Sequence, residues 1–332
     1  MSIHKTPQPH KALTFTQILK LSPLPRLETE ILVAFLLKKT REFLITHPEI
    51  KINPAILRRF HLLEKKRLAN WPIAYLTGHK EFYGLDFKVS PATLVPRPET
   101  EMIVDIVVDI AEQTHGTRDG HPNALKIHAA DKNPRGIQKK IRSDRHSFLI
   151  IDLGTGSGAI IIAIAAALRQ DMPTIYKRTE FLAGDISYAA LQLAQKNAAK
   201  HKLGKRIVFK KGNLLTPFTS RLSDALDHDM IITANLPYLT PRQIKDSPSI
   251  AREPKLALDG GSDGLKYYRR LFSQLAKIKT SAGRTITVFC EIDPSQAKKI
   301  TALSKKYFPK AKNTICLDLA KQKRLLITKI RF

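Results

Sequence analysis

Two short clusters hold the side chains best suited to chemistry, and each closes an apolar run. Asp152-Leu153-Gly154-Thr155-Gly156-Ser157-Gly158 follows Phe148-Leu149-Ile150-Ile151, and Asn235-Leu236-Pro237-Tyr238 follows Met230-Ile231-Ile232. A glycine-rich turn between a strand and a helix lets the backbone approach a nucleotide-like cofactor, and the helix N-terminus adds partial positive charge. The Asn235 side-chain oxygen and the neighbouring Leu236 carbonyl can accept both hydrogens of an –NH2 group while Tyr238 stacks on its plane. The pair of clusters fits methyl transfer from S-adenosylmethionine to nitrogen.

An amide nitrogen is a poor nucleophile because its lone pair is delocalised into the carbonyl. Accepting hydrogen bonds from both N–H groups favours pyramidalisation and aims the lone pair at the methyl. The sulfonium is a good leaving group, so positioning and charge placement can carry most of the catalysis. Neither a metal nor a strong base is required. The competing reading of Asn235-Leu236-Pro237 is a turn that ends a strand.

The glycine cluster alone is weakly specific, since with Ala159 it also matches the dinucleotide pattern G-x-G-x-x-A. The next acid separates the two. Asp185 lies 31 residues beyond Gly154, whereas a dinucleotide site expects about 20. Asp185 could bind both hydroxyls of a ribose, or it could cap the helix that follows. Asn213 could hold the adenine edge with Leu214 packed on the ring, or it could simply make a turn.

These residues must be positioned by an alternating α/β framework. Candidate strands at 148–153, 179–184, 206–210, 230–234, 285–291 and 325–328 alternate with helical patterns, which predicts a parallel sheet with helices on both faces. The last two runs could form an antiparallel edge. Before them, residues 13–70 read as helices. Leu27, Ile31, Leu32, Phe35 and Leu36 fall near 3.6-residue spacing, and Asn53-Pro54 suits a helix start. The stretch Glu81-Phe82-Tyr83-Gly84-Leu85-Asp86-Phe87 alternates around a glycine and reads as a hairpin. The domain reading is a helical domain at 1–78, a hairpin linker at 79–95 and a methyltransferase domain at 96–332. A basic, apolar-poor insertion is expected at 112–147, and its histidines (His115, His121, His128, His146) lack ligand spacing.

The net charge is +27 over 332 residues, which favours acidic partners such as nucleic acid or a ribosomal setting, or reflects a general bias toward lysine. Residues 295–332 hold 11 Lys and Arg against the single acid Asp318, as either a solvated helix face or an RNA-facing patch. Cys290 and Cys316 are too few for a disulfide framework or a zinc site and suit a reducing cytoplasm. No apolar run reaches the length of a signal peptide or a membrane span. A cytoplasmic monomer without a metal is expected.

Beyond the two clusters, the chain resembles the release factor glutamine methyltransferase family. The resemblance is carried by Ala74-Tyr75-Leu76-Thr77-Gly78, Glu81-Phe82-Tyr83-Gly84-Leu85 and Leu94-Val95-Pro96-Arg97-Pro98-Glu99-Thr100-Glu101. It continues through Asp152 to Gly158, Asp185-Ile186-Ser187, Glu253-Pro254-Lys255-Leu256-Ala257-Leu258-Asp259-Gly260-Gly261, Asp263-Gly264-Leu265, Tyr268-Arg269-Arg270, and Glu291-Ile292 before Gln296. A sister family acting on a ribosomal protein differs at Arg97 to Glu101. The resemblance implies a Rossmann-like class I methyltransferase sheet with a small N-terminal helical domain that contacts the release factor. It implies that Gly154, Thr155, Gly156, Ser157, Gly158, Asp185, Asn213 and Leu214 bind S-adenosyl-L-methionine, with Asn235 beside them. Asn235, Leu236, Pro237 and Tyr238 would hold the glutamine amide of a Gly-Gly-Gln motif, with Asn235, Pro237 and Tyr238 serving catalysis. Two positions depart from the family: Leu236 stands where proline is usual, and Asn213 replaces an acid. Asn-Leu-Pro-Tyr is also similar to the motif of ribosomal RNA adenine dimethyltransferases, so adenine N-methylation of RNA or DNA is the alternative.

Overall fold

The computed structural model describes residues 12–115, 147–224, 228–278 and 284–332. The chain divides into two compact units. One takes the chain up to His79 together with Ser247–Arg252, and the other takes Lys80–Asp246 and Glu253–Phe332.

The first unit is helical, with α1 (Phe15–Leu21), α2 (Arg26–Leu37), α3 (Arg41–Thr46), α4 (Pro54–Leu68) and α5 (Ile73–Thr77), plus a short antiparallel pair of β1 (Leu13–Thr14) and β2 (Lys51–Ile52). Helix α4 starts where Asn53 accepts the Ile56 N–H at 2.9 Å, with Pro54 at the first helical position, where its missing N–H costs nothing. Phe15, Ile18, Leu32, Val33, Leu44, Leu57 and Phe60 form the core of the unit. The buried face of α2 differs from the expected stripe. Leu27 and Phe35 are exposed, whereas Val33 and even Glu30 are buried. Arg26 and Arg41 donate to the Glu30 carboxylate at 2.8 and 2.7 Å and hold its pKa below the ordinary value, which compensates a buried charge that periodicity does not foresee.

The second unit begins at Lys80, within the hairpin of β3 (His79–Phe82) and β4 (Leu85–Lys88). Its turn places Tyr83 and Gly84 at φ 53° and 69°, the double positive φ of a tight two-residue hairpin. Tyr83 donates its N–H to Glu101 and its hydroxyl to Asp105, both at 2.9 Å, fixing the hairpin to helix α6 (Glu101–His115). Of the insertion expected at 112–147, residues up to His115 complete α6 and Ser147 opens a strand. Residues 116–146, with His121, His128 and His146, lie outside the described residues.

The framework then runs β5 (Ser147–Leu153), α7 (Ala159–Asp171), α8 (Pro173–Arg178), β6 (Glu180–Asp185), α9 (Tyr188–Lys200), β7 (Ile207–Lys211), α10 (Thr219–Asp224) and β8 (His228–Ala234). It continues through α11 (Pro241–Lys245), α12 (Lys266–Leu275), β9 (Thr285–Glu291), α13 (Ala297–Tyr307), β10 (Lys312–Leu317) and β11 (Lys323–Arg331). The seven strands are ordered β10-β11-β9-β8-β5-β6-β7. Strands β7, β6, β5, β8 and β9 are parallel, while β11 is antiparallel to β9 and β10 to β11. The last two expected runs, β9 and β11, do pair antiparallel, with β9 closing the parallel run, and β10 adds one more antiparallel strand at the edge. The sequence reading lacks β10, because Lys312, Asn313 and Thr314 carry the polar side chains of an edge strand. Strand order reverses at β5, with β6 on one side and β8 on the other, which opens a crevice at their carboxyl ends.

Candidate active site

A cavity of about 360 Å³ sits in that crevice. Its lining includes Gly154, Thr155, Gly156 and Ser157 after β5, Asp185 after β6, Asn213 and Leu214 after β7, and Asn235, Leu236 and Pro237 after β8. Leu94, Arg97 and Thr100 line another part. Residues far apart in the chain converge because five parallel strands end on one edge.

The glycine turn is held by its own backbone. Gly154 and Thr155 donate their N–H groups to the Gly184 carbonyl at 2.8 and 3.0 Å. Gly158, at φ 82°, opens α7, and a Cβ there would lie 2.8 Å from the Ile162 side chain and 3.2 Å from that of Ala194. Only glycine fits. Beneath the turn, buried Asp152 accepts the hydroxyls of Thr155 at 2.6 Å and Thr233 at 2.7 Å. Burial raises its pKa to about 6 against the effect of those two bonds. Asn197, also buried, donates to the Ser157 carbonyl at 2.8 Å and exchanges bonds with the backbone of Lys88, so it joins the turn to β4.

Asp185 accepts the N–H of Gly156 at 2.9 Å and that of Ser187 at 2.8 Å. Burial raises its pKa, and the backbone bonds work against the rise. The N-cap of α9 is Ser187, whose hydroxyl accepts the Ala190 N–H. Asp185 is thus a wall of the cavity rather than the cap. At the next loop the turn is made by the main chain of Asn213, whose N–H and carbonyl both meet the Thr216 hydroxyl at 3.1 Å. Leu214, at φ 57°, is buried against the cavity.

At the end of β8, Asn235 donates through Nδ2 to Glu291 Oε2 at 2.9 Å and to Thr100 Oγ1 at 3.2 Å. Thr100 donates its hydroxyl to the same Glu291 oxygen at 2.6 Å, and Tyr238 donates its hydroxyl to Glu291 Oε1 at 3.1 Å. Leu236 is buried, with a methyl 3.1 Å from where a Cβ on Gly154 would stand. Tyr238 is half-buried, and its ring is not part of the cavity lining. Burial first, then the Glu291 charge, pushes its phenol well above the usual range. The segment is gripped from behind by Gln296, whose Nε2 donates to the Tyr238 carbonyl at 2.6 Å. A Cβ on Gly264 would come within 2.1 Å of that same carbonyl.

Three polar groups of the site stand out only in three dimensions. Thr100 and Glu291 meet across 191 residues. Glu253 accepts the Val95 N–H at 3.0 Å and pairs with Arg97, which anchors residues 94–97 along the cavity. In the sequence all three belong to the resembling segments, but nothing in their spacing marks them as partners. Among the described residues no group of His, Cys, Asp or Glu is placed to hold a metal ion, and no helix is long and apolar enough to cross a membrane.

Residues 14–78 match the PrmC N-terminal domain family and residues 145–328 match a methyltransferase domain. The chain is 34% identical over 282 residues to the release factor glutamine methyltransferase of Moorella thermoacetica, covering 85% of this chain and 83% of that one. It is 33% identical over 287 residues to the protein of the same name from Coxiella burnetii, covering 86% of each. The chain belongs to the release factor glutamine methyltransferase family and is an S-adenosyl-L-methionine-dependent protein methyltransferase.

Proposed function

We propose that this enzyme methylates the side-chain amide nitrogen of the glutamine in the Gly-Gly-Gln motif of a peptide chain release factor. The observation that carries the reading is the placement of Asn235, Leu236 and Pro237 in one cavity with the glycine turn and Asp185. That cavity suits S-adenosyl-L-methionine. Its lining is largely apolar, its glycine turn faces a helix N-terminus, and one carboxylate stands where a ribose diol would be recognised.

In this reading residues 154–158 take the amino-acid and sugar portion, Asp185 accepts from the ribose hydroxyls, and Asn213 with Leu214 hold the adenine. When bound, the cofactor supplies an electrophilic methyl whose transfer leaves a neutral thioether, and the amide nitrogen, cationic once methylated, loses one proton to water. Asn235 Oδ1 and the Leu236 carbonyl accept the two amide hydrogens of the glutamine. Pro237 stiffens the segment, and Tyr238 closes its far side. The helical first unit contacts the release factor.

A second reading, adenine N-methylation of RNA or DNA, is favoured by Leu236 and by the net charge of +27. An exocyclic amine offers the same two N–H donors. Labelled S-adenosylmethionine incubated in parallel with purified release factor, ribosomal RNA and DNA tests the choice. Label on the Gly-Gly-Gln glutamine is the expected result. Methyladenine without methylglutamine would replace the first reading with the second.

A further inference from the structure

The Asn235 side chain faces an ambiguity that its own chemistry cannot resolve. Its oxygen and nitrogen are nearly isosteric, and a half-turn about the last bond exchanges an acceptor for a donor. Only an acceptor facing the cavity can take an N–H from a substrate amide. The neighbours behind Asn235 decide the matter. The Thr100 hydroxyl gives its proton to Glu291 at 2.6 Å, so toward Asn235 it presents a lone pair, and Glu291 Oε2 presents another. Nδ2 satisfies both. A flipped amide would set Oδ1 against a carboxylate oxygen with no proton between them.

We infer that Glu291 is a positioning residue which, as a carboxylate, fixes the polarity of the Asn235 amide and anchors Tyr238, making the acceptor end of the cavity selective for a primary amide over a carboxylate. This rests on the glutamine reading. Selectivity follows because the two groups that the glutamine reading sets against the substrate, Asn235 Oδ1 and the Leu236 carbonyl, are both acceptors, and both residues line the cavity. A glutamate side chain offers them no N–H and adds repulsion.

The position of Glu291 is otherwise costly. The residue is 2% exposed, and its carboxylate accepts three bonds, from Thr100, Asn235 and Tyr238. Its backbone carbonyl accepts the Tyr268 hydroxyl, which fixes the end of β9. Burial raises the carboxyl pKa. The bonds from Thr100 and Tyr238 and the Arg324 charge on β11 oppose the rise, and Glu99 adds to it. Arg97 also lies near enough to act on Tyr238, and the buried Cys290 thiol beside Glu291 stays neutral because burial raises its pKa. Protonating Glu291 turns one acceptor into a donor and removes the reason for Nδ2 to point inward.

Glu291→Gln, which keeps the shape, is the decisive variant. Purified release factor is methylated at saturating S-adenosylmethionine across pH 5 to 9, with cofactor affinity followed by calorimetry. The expected result is a kcat lower by roughly 10- to 100-fold, the scale of a displaced positioning contact. Cofactor Kd should stay within about two-fold of the parent, and the parent's kcat should fall on the acid side as Glu291 takes a proton, a fall that the variant lacks. Thr100→Val, which removes the bridging hydroxyl, should lower kcat several-fold with the cofactor Kd again unchanged. An active parent whose kcat and pH profile Glu291→Gln leaves intact would overturn the inference alone, as would losses of kcat and cofactor affinity in equal measure. A parent that yields no methylglutamine overturns the reading beneath it.

Discussion

Gly156 donates its backbone N–H to the carboxylate of Asp185 at 2.9 Å, tying the turn after β5 to the acid after β6. Asp185 therefore has two tasks in the proposed enzyme, holding the turn and offering its remaining lone pairs to a ribose. Asp185→Ala is expected to weaken S-adenosylmethionine binding by roughly 1.5–3 kcal/mol, the scale of hydrogen bonds to a charged group. Calorimetric titration measures it, and an unchanged Kd would leave Asp185 with the turn alone.

Asn235→Ala separates the acceptor end of the cavity from the cofactor end. The side chain is tied to Thr100 and Glu291 and not to the glycine turn. Its removal should lower kcat on the order of 10²–10³, as for loss of one preorganised polar contact, with cofactor Kd nearly unchanged. Turnover within a few-fold of the parent would take Asn235 out of the chemistry.

Asp152 predicts a pH dependence of stability with a definite sign. Its folded pKa is about 6 against the ordinary 3.8, and nearby Asp185 adds to the rise that burial causes. Below pH 3.8 the carboxyl is protonated in both folded and unfolded chains. Between there and about 6 the unfolded chain ionises first, so stability falls as pH rises. The cost levels off above about 6, and at about 1.4 kcal/mol per pH unit it totals roughly 3 kcal/mol. Asp152→Asn removes that dependence. Urea unfolding at pH 4, 5.5 and 7 should show the variant gaining on the parent by about that amount, with most of the gain made by pH 6. A difference that stays constant with pH would reject it.

The sequence discloses the framework where burial is simple. Strands β5, β6, β8 and β9 present buried apolar runs, and the two chemical clusters stand at the ends of β5 and β8. It fails where an edge or a compensating charge breaks the pattern. Strand β10 is half polar, and α2 buries Glu30 because two arginines meet its carboxylate. The site divides in the same way. A glycine turn and Asn-Leu-Pro-Tyr are contiguous and can be read from spacing, whereas Glu291 meets Asn235 across 56 residues and Thr100 across 191. No local rule joins them.

The basic C-terminal segment supplies the last prediction. Helix α13 exposes Lys298, Lys299, Lys305 and Lys306. Lys305 donates to the Ala311 and Pro309 carbonyls at 2.7 and 3.3 Å, so it also fixes the turn into β10. The clean test changes Lys298, Lys299 and Lys306 to Gln. If the acceptor is a release factor, these charges tune encounter rather than choice of residue. The catalytic efficiency should then fall most at low salt, because screening already blunts steering at higher ionic strength. The methylated site should remain one glutamine. If the acceptor is a nucleic acid, the triple change should instead flatten the slope of log affinity against log salt by up to about 3, since each phosphate contact contributes about 0.9. Titrations at several salt concentrations, with the product identified by mass, separate the two outcomes.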